Sequence, residues 1–90
     1  MPTVRILQPL RKLAGDLEFI DVAAPTVAGV LEHLDQQYPG FRARLFDGQD
    51  RLKQFINIYV DGEDIRFLDG LSTAVPERAE VMIVPAVAGG

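Results

Sequence analysis

The alternation of apolar and polar positions divides the chain into elements. Thr3-Val4-Arg5-Ile6-Leu7 follows the two-residue period of a half-buried strand and stops at Pro9, which has no N–H to give a sheet ladder. A second strand is predicted over Asp16-Leu17-Glu18-Phe19-Ile20-Asp21-Val22, with its alternation broken after Phe19. The loop between them, with Arg11, Lys12 and Gly15, makes the pair a hairpin. The period then becomes helical. Val27, Val30, Leu31, Leu34 and Tyr38 fall on one stripe, Thr26 after Pro25 supplies an N-cap, and Pro39-Gly40 ends a helix of about three turns. Phe41 to Phe46 predicts a further short helical turn before Asp47-Gly48. Gln54 to Val60 is a strong strand, Asp61-Gly62 a turn, Ile65-Arg66-Phe67-Leu68 a short returning strand, and Asp69-Gly70 a second turn. Glu80-Val81-Met82-Ile83-Val84 closes the pattern.

Hairpin, helix, strands and final strand in that order describe an α+β fold, a mixed sheet with one main helix across a single face. A β-grasp (ubiquitin-like) topology meets it. There the first and last strands lie parallel and central, which explains why the final strand reads as a nearly continuous apolar run. The expected division is a β-grasp domain over residues 1–86 and a flexible C-terminal diglycine tail over 87–90.

Composition narrows the function classes. A chain of 90 residues makes one domain able to bury roughly 60–65% of its unfolded surface. With 48% apolar and 24% charged residues, and no apolar run near the ~20 residues of a membrane span, a soluble globule is expected. The net charge of −4 and nine dispersed Lys and Arg residues argue against nucleic acid and for a basic protein partner. The absence of cysteine removes disulfides, thiolate metal sites and persulfide chemistry from the chain, and the N-terminus lacks a secretory core. A cytoplasmic location is expected.

The chemistry concentrates at the end. Pro85-Ala86-Val87-Ala88-Gly89-Gly90 follows the last strand. Pro85 tends to end regular pairing, and two glycines without Cβ atoms can thread a slot closed to other residues, bringing the carboxylate of Gly90 to a partner's active site. At average glycine usage two closing glycines arise by chance in about one chain in two hundred. The alternative is a frayed end or a cloning remnant. A second candidate lies on the strand at Ile58. Ile56, Ile58 and Val60 point one way and Phe55, Asn57 and Tyr59 the other. If the aliphatic triplet is core, Phe55 and Tyr59 stand on the open face near Met82 or Val84 and form an apolar patch beside the tail. Otherwise a loop, such as residues 41–53, covers the rings.

These segments carry a resemblance. Phe55 to Phe67, Leu71-Ser72-Thr73 and Ile83 to Gly90 are similar to the MoaD/ThiS family of ubiquitin-like sulfur carriers, most of all to its CysO type, acting in cysteine biosynthesis. Val75-Pro76-Glu77-Arg78-Ala79-Glu80 departs from the acidic-glycine-acidic turn usual in that family. The resemblance implies a carrier rather than an enzyme, with no catalytic residue, metal or cofactor of its own. A MoeB- or ThiF-like activating enzyme would use ATP and Mg²⁺ to form an acyl-adenylate at Gly90, and a sulfur donor would displace AMP to leave a thiocarboxylate. Ala88 and Gly89 would thread the partner's channel, and Phe55, Tyr59, Arg66, Pro85 and Val87 would contact partners. The acceptor would be a cysteine synthase-like enzyme, with a metalloprotease releasing cysteine afterwards, or the large subunit of molybdopterin synthase.

Other constellations carry less. His33 beside the apolar stripe reads as a solvated helix flank, Glu63 and Asp64 as ordinary turn carboxylates, Arg66 as a rim charge, and Gly29 as a site of close helix-to-sheet approach. No metal site follows. Two readings of other classes remain: a protein modifier joined to lysines through Gly90, and a β-grasp binding module with an inert tail.

Overall fold

The first strand, β1 (Thr3–Ile6), buries Val4 and Ile6 and leaves Thr3 and Arg5 half-buried, the alternation its sequence spells out. The computed structural model describes residues 1–8, 10–49 and 51–85. Among these, β2 (Phe19–Asp21), β3 (Ile56–Val60), β4 (Glu63–Asp64) and β5 (Glu80–Pro85) join β1 in a five-stranded sheet of order β2-β1-β5-β3-β4. β1 and β5 are parallel, with Val4 beside Val81 and Ile6 beside Ile83, while β2, β3 and β4 pair antiparallel. This is the expected mixed sheet with a central first and last strand.

The main helix, α1 (Val27–Gln37), starts where Thr26, in extended conformation, accepts a hydrogen bond from the Gly29 N–H at 3.2 Å. Its apolar stripe buries Val27, Val30, Leu31 and Leu34 in one cluster with Val4, Ile6, Ile58, Val81 and Ile83. A second helix, α2 (Phe41–Leu45), follows at once, as its sequence predicts. Its first turn is held by Asp35 of α1, whose Oδ1 accepts from the N–H groups of Gly40 and Arg42 at 3.3 and 2.9 Å. Phe41 and Leu45 are fully buried, so the segment 41–53 joins the helix-side core.

Three local expectations need correction. The Arg11 loop contains a 3₁₀ helix, Leu10–Ala14, that buries Leu10 and Ala14, and the second strand shortens to Phe19–Asp21. Ile65 to Leu68 does not return as a strand. Past the two residues of β4 the chain turns into a 3₁₀ helix, Ile65–Phe67, because Asp64 Oδ1 accepts the Arg66 N–H at 2.9 Å and the Leu68 N–H reaches the Ile65 carbonyl. Only Ile65 of this stretch is buried, a pattern that alternation cannot produce. Gly29 approaches the loop before α1 rather than the sheet: a Cβ there would meet Ala24 Cβ at 3.2 Å and Thr26 Oγ1 at 3.5 Å.

The Asp61-Gly62 turn forms as read. Both residues have positive φ, 50° and 86°, which closes a two-residue hairpin between Val60 and its partner Glu63. Asp61 tolerates this conformation with its carboxylate engaged, Oδ1 accepting the Glu80 N–H at 2.9 Å.

Candidate functional site: the root of the C-terminal tail and the open sheet face

β5 is the strand from which the tail leaves, and its two neighbours do not run equally far along it. Pairing with β1 ends at Ile6 and Ile83, whereas pairing with β3 continues through Val84, opposite Asn57, to Pro85, opposite Ile56. The tail's root is therefore fixed by β3. Pro85 is the last residue of the strand and half-buried. Val87, Ala88, Gly89 and Gly90, named above for threading, contact and chemistry, lie outside the described residues.

The same register builds the face turned away from α1. Ile56, Ile58 and Val60 are buried, which puts Asn57 and Tyr59 on the outer side. Tyr59 lies directly opposite Met82, and Met82 is beside Arg5, which in turn pairs with Phe19. Phe19, Arg5, Met82 and Tyr59 thus form a band across four strands. The aliphatic stem of Arg5 adds apolar surface to it while the guanidinium lies 5.8 Å from the Phe19 ring centroid and 3.1 Å from Glu18 Oε2. Arg11 steadies the same carboxylate at 3.5 Å and donates to the Ile6 carbonyl at 2.8 Å.

Phe55 precedes the residue that pairs with Pro85 and is 52% exposed; Tyr59 is half-buried. The segment 41–53 does not hide Phe55: Phe41 and Leu45 are buried in the core cluster and Phe46 and Leu52 pack against it. Sequence reasoning put Tyr59 on this face with Met82 and Val84, whereas Phe55 falls in the turn before β3, which starts at Ile56 rather than Gln54. The same reasoning missed Phe19 and Arg5, although Phe19 shares the parity of exposed Asp21 and opposes that of buried Ile20.

Arg66 is more than a rim charge. Its guanidinium donates to Asn57 Oδ1 at 2.7 Å and to the carbonyls of Gln54 and Ile56, each at 3.0 Å. β4 pairs only with Tyr59 and Val60, so the outer edge of β3 nearer its start lacks a strand neighbour, and Arg66 supplies donors there. The side chain thereby anchors the segment against which Pro85 pairs. His33, on the flank of α1 beside buried Leu34, is half-buried. Glu63 and Asp64 serve the β3–β4 hairpin, with Asp64 also capping the following turn. Among the described residues no group of three or more His, Cys, Asp or Glu side chains is arranged to hold a metal ion, and no helix is long and apolar enough to cross a membrane.

Comparison with known proteins places this geometry. A protein-family model described as the ThiS family matches residues 4–90. The sulfur carrier protein CysO of Mycobacterium tuberculosis (strain H37Rv) is 40% identical over 90 residues, covering 98% of this chain and 97% of that protein. The crystal structure of the Amycolatopsis orientalis BexX/CysO complex contains a chain that superimposes with a TM-score of 0.92 at 36% identity, each chain covered in full. The small archaeal modifier protein 1 of Methanosarcina acetivorans superimposes at 0.87 with 32% identity over 99% of this chain and 95% of its own.

Proposed function

The chain belongs to the ThiS family of ubiquitin-like proteins, and from that premise we propose that it is a sulfur carrier of the CysO type, bearing sulfur on the carboxyl group of Gly90. The observation that carries the reading is the 40% identity to a protein named as a sulfur carrier, over nearly the whole of both chains. The family match also runs on through Gly89 and Gly90.

The chemistry requires a partner at each step. A carboxylate is a poor electrophile; transfer of AMP from ATP by an activating enzyme converts it to an acyl-adenylate with release of pyrophosphate. Sulfide, or the terminal sulfur of a persulfide, then attacks the carbonyl carbon. A C–S bond forms and the C–O bond to AMP breaks; sulfide leaves the thiocarboxylate directly, whereas a persulfide leaves an acyl disulfide whose S–S bond a further thiol must cleave, itself ending in a disulfide with the donor. The thiocarboxylate's soft, anionic sulfur is the nucleophile delivered to an acceptor enzyme, most simply one that builds cysteine, as the name of the relative suggests. A pocket around the tail would shield that sulfur from water and stray electrophiles.

This chain contributes positioning. β3 fixes Pro85, Arg66 fixes the start of β3, and the band of Phe19, Arg5, Met82 and Tyr59 gives a partner a surface on the sheet that holds the tail's root. That a CysO was crystallised in complex with BexX supports docking onto a folded partner. The likeness to a small archaeal modifier supports a second reading, in which the same activated Gly90 is joined to a lysine amine.

The intact mass of the protein isolated from its own cells separates the readings. Exchange of one oxygen for sulfur at Gly90 supports the carrier, large adducts support the modifier, and a wholly unmodified population under sulfur demand contradicts both.

A further inference from the structure

The turn that replaces the expected fourth strand exposes a large apolar residue on a rigid support. Phe67 is 87% exposed and Leu68 40%, at the lip of a shallow, open groove of about 520 Å³ that Val60 also lines. The turn is fixed from several sides. Asp64 caps it, Arg66 is hydrogen-bonded to Asn57 and to two carbonyls of the β3 segment, and the Asp69 N–H donates to Thr73 Oγ1 at 3.0 Å. An aromatic side chain on a backbone held this way gives up little freedom on binding. Asp61, Glu63 and Asp69 border the same groove, and no Lys or Arg lines it. Arg66, the nearest base in sequence, directs its guanidinium to the start of β3, and among the described residues no ion pair engages Glu63 or Asp69.

We propose that Phe67 and Leu68, with the carboxylates of Glu63 and Asp69, form a second docking surface, for a protein partner that offers an apolar pocket rimmed by Lys and Arg. Charge complementarity selects this occupant. Carboxylates repel nucleic-acid phosphates and anionic lipid headgroups, and the lip supplies the apolar anchor that a purely ionic contact lacks. The surface lies at the Val60 end of β3, about 13 Å along the strand from Ile56, where the tail's root is held. A partner can therefore hold this end while another engages the tail. Binding at this surface is independent of sulfur chemistry and is measured without turnover.

The full-length chain, isotopically labelled, is titrated with a short peptide of alternating Lys and Leu, with its Lys-to-Glu counterpart, and with its Leu-to-Ser counterpart. Only the Lys–Leu peptide is expected to bind, with amide shifts concentrated on residues 60–69 and 73–76. Phe67→Ser, and separately the double change Glu63→Lys with Asp69→Lys, each weaken it roughly tenfold or more at an unchanged denaturation midpoint. Four results of the titration overturn the proposal. They are no binding, shifts spread over Asp16, Glu18 and Asp21, equal binding of the Leu-to-Ser peptide, or affinity unaffected by Phe67→Ser. Phe67-dependent binding to anionic vesicles, or Phe67-dependent self-association in sedimentation, would give the surface to a lipid or a second copy and overturn it equally.

Discussion

The two faces of the sheet are built by the same strands and do opposite work. On the side turned to α1, Val4, Ile6, Ile58, Val81 and Ile83 are almost wholly withdrawn from water and packed as one cluster. One residue along in each strand, Arg5, Tyr59, Met82 and Val84 stay partly accessible, joined by exposed Phe19. Apolar side chains occur on both, so hydrophobicity does not distinguish them. The covered face has a helix to bury it; the open face has no such cover among the described residues, and a partner is the remaining way to remove its surface from water.

The largest expected effect comes from the covered face. Ile58→Ala leaves a cavity where relaxation is limited and should cost about 2–5 kcal/mol, a substantial part of the roughly 5–15 kcal/mol that holds a domain together. Urea denaturation measures it; a cost near zero would mean that the alternation has been assigned to the wrong faces.

Arg66→Ala tests the support common to the tail's root and the turn carrying Phe67. Three hydrogen bonds to one exposed guanidinium, competing with water, predict a loss of about 1–2 kcal/mol, only partly recovered by Lys, whose ammonium cannot span the same three acceptors. Amide exchange at Gln54 to Asn57 should accelerate in parallel. Full recovery by Lys would reduce Arg66 to a simple charge.

Changing Phe55 and Tyr59 together to Ser should cost about 1 kcal/mol of stability, because one ring is half exposed and the other half-buried. Partner affinity should fall by a few kcal/mol, measured by titration against the activating enzyme. A mutant that unfolds readily yet binds normally when folded would move these residues to the covered face in energetic terms.

The smallest effect is expected off both faces. The N–H groups of Gln49 and then Arg51 hold the exposed Asp47 carboxyl below its ordinary value of 3.8. A depressed folded-state value adds stability above 3.8 and loses it as pH falls through that lowered value. Asp47→Asn should therefore lower stability slightly near neutral pH, with the mutant and parent curves converging as pH falls below the lowered value. A difference that persisted in acid would point to a role beyond the charge of this carboxylate.

Much of this was legible in the residues. Thr26 and the stripe from Val27 to Leu34 defined α1, and Asp61-Gly62 defined the hairpin, because capping and positive φ are local demands that few residue types meet. The β3 faces followed from parity. The turn after β4 was not legible, since Ile65 to Leu68 is apolar enough for a strand. The decision rests on Asp64 capping the turn and on Arg66 reaching carbonyls ten and twelve residues away. The Arg5–Phe19 part of the open face depended on a strand register, which the broken alternation after Phe19 concealed.

The central claim is that the fold carries and presents the tail while the chemistry belongs to Gly90. ATP–pyrophosphate exchange by the activating enzyme, measured with the intact chain and with a chain lacking Gly90, tests it most directly when paired with a thermal melt of each. The account predicts equal melting temperatures and exchange supported only by the intact chain. A shortened chain that still drives exchange, or one that melts well below its parent, would contradict it.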